Sequence, residues 1–511
     1  MATQVGKTKE HAIVQPRWDV VCFMAMALIT LVALALRLID LGGPSLWTDE
    51  VFTEFRAQAR IMDALESMWS AGNQNPLYYL LLRLLPTTTE FQLRLPGALL
   101  GTLGVVLMGL CAASLTQNLA LGLWAALVLA VGPFHIMIGR NARAYSLLFV
   151  ASLLAYYFFL RLLLSSDQKR DPPLWISFIL SSMAAYLTHY AAIALGLSQL
   201  VMLAFVKRHN RPFVKRWFHA QVIAVLPFVL WLVAIVLNFR LGKVYKSGFK
   251  PPSLLTVPQS LWNLVIGYDG GFSPLLLPGL AAVTLTLVAG WWDVVRNWRK
   301  HTVEFYGLLL VWLSLIPVTF FAVTVVPAYQ DRYFTALVPA LILAVVLGAR
   351  RFPQPIALAL LSVITLTAAY QTYQLFNTEA YERADWEVVN EYINENAQPG
   401  DVLLLERDHP LMVFEHYYTG DPALLEDAVL LLDTRNTGAL EAEAERIWVL
   451  YRNPLEDPHR QGAMPNFDPF DPSLNIVGEW LVAHRDEVVD VDTFPGVTVI
   501  LIDPLPLQAH K

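Results

Sequence analysis

The sequence predicts a polytopic α-helical membrane protein: about eleven transmembrane helices, interfacial helices in the first outer loop, and a small C-terminal α/β extracytoplasmic domain. Three observations predict it. Hydrophobic residue types make up 56% of the 511 residues and charged types only 15%, against roughly 25% charge in an ordinary soluble domain. Apolar runs near bilayer length recur from residue 18 to residue 376. Beyond Asn377 the composition turns polar, and strand-like and helix-like segments alternate.

A hydrocarbon core needs roughly 17–25 apolar residues per helix. Runs that approach this length lie at 18–39, 93–114, 118–137, 143–164, 173–188, 190–206, 217–238, 274–295, 303–326, 333–349 and 354–376. The first run ends in Arg37-Leu38-Ile39-Asp40, without a small-residue cleavage site, and is expected to stay as a helix. The split at Thr188-His189-Tyr190 sets the topology of everything downstream.

Lys7, Lys9, Arg17, Lys169, Arg170, Lys207, Arg208, Arg211, Lys215, Arg216, Arg296, Arg299, Lys300, Arg350 and Arg351 all fall on one side if that split holds. The positive-inside rule makes that side cytoplasmic, which places the chain in the cell membrane as a multi-pass protein with a cytoplasmic N-terminal tail, residues 1–17. Arg240, Lys243, Lys246 and Lys250 dissent. They face an anionic lipid or substrate, or are a tolerated exception. The transmembrane part is expected over 18–376, with the first outer loop at 41–92 and the extracytoplasmic domain at 377–511.

In the first outer loop Val51, Phe52, Phe55, Ala59, Met62, Leu65 and Trp69 recur at helical spacing, as in an amphipathic helix lying in the interface. Asn75-Pro76 reads as an N-cap with proline at the first helical position, opening a segment at 77–85 too short to span. In the C-terminal part, 385–396, 409–418 and 437–446 pattern as helices. The segments 402–405, 429–432, 447–451 and 497–502 pattern as strands, and 454–472 is a proline- and acid-rich loop.

Net charge is −6 without a basic tract, so nucleic acid is not an expected partner. Cys22 and Cys111 both sit in apolar runs and build neither a disulfide framework nor a CxxC metal site.

The residues able to do chemistry gather on the expected outer face. Asp49 and Glu50 follow the first span. They serve as helix cap and dipole complement, or as a general base with its assistant, since a placed carboxylate contributes roughly 10²–10⁴ in rate. Arg140 and Arg143 flank the start of the fourth span, and Arg332 stands at the outer end of the tenth beside Asp331 and Tyr333. A guanidinium there either snorkels, pairs locally, or holds a phosphate through its planar fork. Arg94 opens the second span, where an edge role competes with a cavity role, and His189 is a structural or ligand-contacting imidazole between two spans. Asp49 and Glu50 could hold a divalent metal, although no His or Cys stands close by in sequence.

A series of short elements runs through the chain in order: Trp47-Thr48-Asp49-Glu50, Asn75-Pro76-Leu77-Tyr78-Tyr79-Leu80, Arg94-Leu95-Pro96, Ala142-Arg143-Ala144-Tyr145, Thr188-His189-Tyr190 and Arg332-Tyr333. This series resembles the GT-C glycosyltransferases, in particular the bacterial branch related to protein O-mannosyltransferases and aminoarabinose transferases. The resemblance covers residues 18–376. It implies a membrane glycosyltransferase that takes a sugar from a polyprenyl-phosphate donor and passes it, with inversion, to a glycan, lipid or protein acceptor. It implies Asp49 as base, and Glu50 as a group that binds the acceptor or a cation. Arg143, Arg332, Tyr333, Arg140, His189 and Tyr145 would contact donor phosphate or sugar, and Asn75, Tyr78, Tyr79 and Arg94 would line the cavity. Asn75 is a departure, because many relatives carry histidine before the Pro-Leu-Tyr-Tyr element.

Two other classes share the helices and the cationic outer face: a transporter or flippase of lipid-linked sugars, and a non-catalytic cell-envelope assembly protein. A transporter should show paired halves with broken helices, and the sequence holds no internal repeat.

Overall fold

The computed structural model describes residues 18–71, 75–164, 171–206, 211–238, 256–267, 273–297, 307, 330–377, 384–405, 408–426, 428–430, 444–452, 468–470 and 476–503. The chain divides into two compact units. The first comprises Met1–Ile39, Arg56–Thr87 and Gln92–Gln374; the second comprises Asp40–Phe55, Thr88–Phe91 and Leu375–Lys511.

In the first unit seven helices among the described residues are long and apolar enough to cross a bilayer, or eight if one bent pair counts as a span. They are Val20–Leu38, Glu90–Thr116, Tyr145–Leu164, Arg211–Asn238, Pro274–Arg296, Asp331–Ala349 and Gln354–Asn377. The segments expected at 173–188 and 190–206 form the helices Pro172–Thr188 and Ile193–Val206, with a 3₁₀ turn at Tyr190–Ala192 between them. The expected span at 303–326, apart from residue 307, and the basic group at 240–250 lie outside the described residues.

Burial sorts these helices. The Asp331–Ala349 segment is 89% buried, whereas the Val20–Leu38 and Arg211–Asn238 helices are each 22% buried. Their exposed sides carry Phe23, Met24, Leu28, Leu230, Val236 and Leu237. Apolar surface on that scale, on helices that satisfy their own backbone groups, fits lipid as the solvent. At the centre the helices approach closely. A Cβ on Gly348 would stand 1.9 Å from the Thr286 carbonyl, so only glycine permits that crossing.

The run expected as one span at 118–137 is broken. Asn118 caps Leu119–Ala130 by accepting from the Leu121 N–H at 3.2 Å, and the chain restarts at Pro133–Gly139 with a 64° bend. Proline at the first position of the second helix has no N–H to continue the ladder. The carbonyls freed at the break find donors inside the unit. Arg37 Nη1 donates to the Ala130 carbonyl at 3.3 Å and Thr372 Oγ1 to the Val131 carbonyl at 2.7 Å.

The amphipathic stretch of the first outer loop is two helices, Thr48–Gln58 and Ile61–Ala71. Arg83 explains the break. Its Nη1 donates to the carbonyls of Arg56 at 2.9 Å and Ala59 at 2.7 Å, occupying the acceptors that continue a helix.

Among the described residues of the second unit five strands form one mixed sheet. They are β1 Asp401–Leu405, β2 Val429–Leu430, β3 Arg446–Arg452, β4 Val488–Phe494 and β5 Val497–Ile502, in the order β2-β1-β3-β5-β4. β1 pairs parallel with β2 and β3, while β5 pairs antiparallel with β3 and β4. β5 is buried throughout and is apolar except for Thr498, as suits a covered central strand. The segment at 437–446 expected as a helix begins outside the described residues and ends in β3, and most of the proline-rich loop at 454–472 also lies outside them.

Candidate active site: an aromatic–cationic cluster and a carboxylate segment

In the first unit, elements far apart in sequence bring Arg143, Tyr145, His189, Tyr190, Arg332 and Tyr333 together. The corner at 140–144 is drawn against the Glu90–Thr116 helix at Gly97, where a Cβ would stand 2.8 Å from the Asn141 carbonyl. That approach leads the chain into the Tyr145–Leu164 helix. The His189 corner and the Asp331–Leu337 3₁₀ segment complete the cluster. His189 stacks on Tyr190 at 4.4 Å between ring centroids, and lies 5.7 Å from both Tyr145 and Tyr333. Tyr190 lies 6.4 Å from Tyr333, and the Arg332 guanidinium sits 5.8 Å from the Tyr333 ring centre. Arg143 is buried.

His189 shows the field of this cluster. Burial first, then the positive charges of Arg143 and Arg332, hold its pKa down to about 3. The ring is neutral at physiological pH. Its Nδ1 accepts the Ala191 N–H at 3.2 Å, which places the proton on Nε2 and makes that nitrogen a donor. Two guanidinium groups, a neutral imidazole donor and three phenols suit an oxygen-rich anionic ligand.

Asp331, beside Arg332, is buried, and each of its oxygens is engaged. Ser260 donates to Oδ1 and Asn263 to Oδ2, both at 2.5 Å. These two donors come from the Thr256–Ile266 helix, inside the expected loop at 239–273, where the sequence reading placed no helix. That carboxylate therefore ties the segment bearing Arg332 and Tyr333 to a neighbouring helix.

The other expected residues take separate places. Arg140 Nη1 donates to the Ile39 carbonyl at the end of the Val20–Leu38 helix, a cation on a helix C-terminus. Asn75 is not a cap. Pro76 holds that position without a side-chain bond, and Asn75 Nδ2 donates to the Tyr186 carbonyl at 2.6 Å. A buried polar chain continues from there: Tyr186 Oη donates to Gln221 at 2.8 Å, and Gln221 Nε2 to Gln199 at 2.8 Å. Tyr78 and Tyr79 are buried and meet edge to face at 5.9 Å, with the Arg56 guanidinium 5.1 Å from the Tyr79 ring centre. Arg94 is also fully buried, which the sequence reading as a span edge did not foresee.

Asp49 and Glu50 belong to the second unit, in the first turn of the Thr48–Gln58 helix. The Glu50 N–H donates to the Trp47 carbonyl at 2.7 Å, and Thr53 Oγ1 to the Asp49 carbonyl at 2.9 Å. Asp49 is half-buried and Glu50 buried. Among the described residues no group of three or more His, Cys, Asp or Glu could hold a metal ion.

Residues 76–234 match the family model described as dolichyl-phosphate-mannose-protein mannosyltransferase. The match includes Tyr78, Tyr79, Arg94, Arg140, Arg143, Tyr145 and His189, while Asp49, Glu50 and Arg332 lie outside it. The chain is similar in fold to ArnT from Cupriavidus metallidurans. The apo structure matches with TM-score 0.56 at 14% identity, over 94% of this chain and 98% of that one. The structure of the same protein bound to undecaprenyl phosphate matches with TM-score 0.57 at 14% identity, over 96% and 100%. No curated protein matches by sequence. The chain thus shares the fold of ArnT, carries a segment similar to the mannosyltransferase model, and among its described residues has seven helices long and apolar enough to cross a membrane.

Proposed function

We propose that this enzyme transfers a sugar from a polyprenyl-phosphate donor to an acceptor hydroxyl at the extracytoplasmic membrane surface, with inversion at the anomeric carbon. The acceptor oxygen attacks the anomeric carbon as its bond to the phosphate oxygen breaks. The lipid phosphate leaves as an anion, and Asp49 takes the hydroxyl proton. Glu50 assists by binding the acceptor or a cation. Arg143 and Arg332 offset the negative charge that grows on the leaving phosphate, the moment at which a fixed cation lowers the barrier most. His189 donates from Nε2 to a sugar or phosphate oxygen. A phosphate leaving group needs no nucleotide, in keeping with chemistry outside the cytoplasm.

The observation that carries this reading is the gathering of Arg143, Arg332 and His189 into one aromatic-walled cluster in a chain of this fold. Bound undecaprenyl phosphate in the ArnT structure supports a lipid phosphate as the anion.

The test is Asp49→Asn in the purified protein. Undecaprenyl phosphate mannose and undecaprenyl phosphate aminoarabinose serve as donors, with membranes of a deletion strain as acceptor source. Turnover should fall by about 10²–10⁴ while undecaprenyl phosphate binding is kept. Undiminished transfer would remove Asp49 from the mechanism.

A further inference from the structure

Residues 40–55 and 88–91 pack with the C-terminal residues in the second unit, and hydrogen bonds fasten them there at several points. The Leu46 N–H donates to the Tyr417 oxygen at 2.7 Å. The same phenol donates to Glu90 Oε1 at 3.0 Å, so one oxygen accepts and donates at once. Ser45 Oγ donates to Asp385 Oδ1 at 3.2 Å and accepts the Glu387 N–H at 3.3 Å. His416 Nδ1 lies 3.4 Å from Glu54 Oε2. Ser45 and Leu46 are 3% and 1% exposed, so on this side the bonds are shielded in part from competing solvent.

The order of these ties along the chain matters. Ser45 and Leu46 precede Asp49 and Glu50, and Glu54 follows them. The carboxylates are therefore bracketed on both sides by ties to residues between 340 and 371 positions later. Tyr417 and His416 both come from the end of the Asp408–Tyr417 helix. A C-terminal domain that merely decorated the enzyme would have no reason to hold the entrance to this helix.

We infer that the Asp408–Tyr417 helix positions the Asp49–Glu50 carboxylates, with Tyr417 as the positioning residue that fixes the main chain at Leu46. Tyr417 touches neither donor nor acceptor; it sets the direction from which the base approaches. Misplacement of a reacting group by 1 Å can cost roughly a hundredfold in rate, so a tie of this kind is enough to govern turnover. The inference rests on Asp49 being the base.

The decisive variant is Tyr417→Phe, which keeps the ring and removes the oxygen that joins Leu46 to Glu90. It is assayed in the full chain with undecaprenyl phosphate mannose and aminoarabinose. Turnover should fall about tenfold with KM for the donor changed less than about twofold. Hydrogen–deuterium exchange should quicken at the Leu46 amide and its neighbours. Tyr392→Phe is the control, because Tyr392 bonds Asp492 in the same unit; it should keep full turnover. Wild-type turnover in Tyr417→Phe, with or without faster exchange, overturns the inference, as does an equal loss in Tyr392→Phe. The two readings fail separately. An inactive Asp49→Asn beside an active Tyr417→Phe removes only the tie. An active Asp49→Asn removes the base assignment itself.

Discussion

The two units keep charge out of water by opposite means. In the membrane unit Arg37 is fully buried, and its partners are neutral. Nη1 donates to the Ala33 carbonyl at 2.7 Å, and Nη2 contacts His135 Nδ1 at 2.6 Å. In the second unit Asp401 is buried against a cation. It accepts from Arg446 Nε at 2.9 Å and Nη2 at 2.7 Å, from Trp448 Nε1 at 2.8 Å and from the Gln398 N–H at 2.8 Å. The first arrangement uses backbone dipoles and a ring nitrogen, and its net charge stays positive. The second neutralises itself. The aromatic cluster follows the first pattern, with phenols and a neutral imidazole set around Arg143 and Arg332. A positive site of that kind suits an anionic ligand, whereas the Asp401 cluster suits a domain core.

Three experiments would sharpen or break this contrast, from the largest expected effect down. Asp401→Ala leaves the partly exposed Arg446 guanidinium without its carboxylate and the buried Trp448 N–H without its acceptor, and an unsatisfied buried donor costs about 1–3 kcal/mol. Chemical denaturation should report that loss in the second unit; a loss below about 1 kcal/mol would mean that the pair is not neutralising a buried charge. Arg332→Ala should raise the Kd for undecaprenyl phosphate about tenfold to a hundredfold, the range for a hydrogen bond to a charged group. Its melting temperature should hardly move. Unchanged affinity with a lowered melting temperature would make Arg332 structural.

The third is a pH effect at His189. Its pKa when folded is about 3, against about 6.5 in an unfolded chain. The unfolded state therefore binds the extra proton first as pH falls, and stability drains from about pH 6.5 toward pH 3. His189→Gln should lose less stability than the parent between pH 7 and pH 4, read from unfolding midpoints in detergent. A parallel decline in both proteins would show that another group dominates the acid transition.

Much of the membrane unit was legible because its signal is one of length and composition. Helices near 93–114, 143–164, 217–238, 274–295 and 354–376 appear where apolar runs approach bilayer thickness. The bend at Pro133 was not foreseen, since hydropathy alone is blind to a missing N–H when both halves are apolar. In the second unit the apolar strands β1, β3 and β5 stood out, and β4 did not. Its Asp490 and Asp492 are poor strand residues, admitted because β4 forms an exposed edge that charges protect from pairing.

The candidate site divides in the same way. Arg143, His189, Arg332 and their tyrosines were recognisable one at a time, as polar groups at the ends of apolar runs where each needs a reason. Their meeting around His189 was not, because it depends on three segments, around Tyr145, His189 and Tyr333, that lie far apart in sequence. Nor could the chain order reveal that Tyr417 would accept the Leu46 N–H, or that Asn75 would serve Tyr186 and not its own helix. Hydrophobic length is a local property and survives in one dimension. The partner of a buried polar group is chosen by which other groups packing brings within 3 Å, and that choice exists only once the chain has folded.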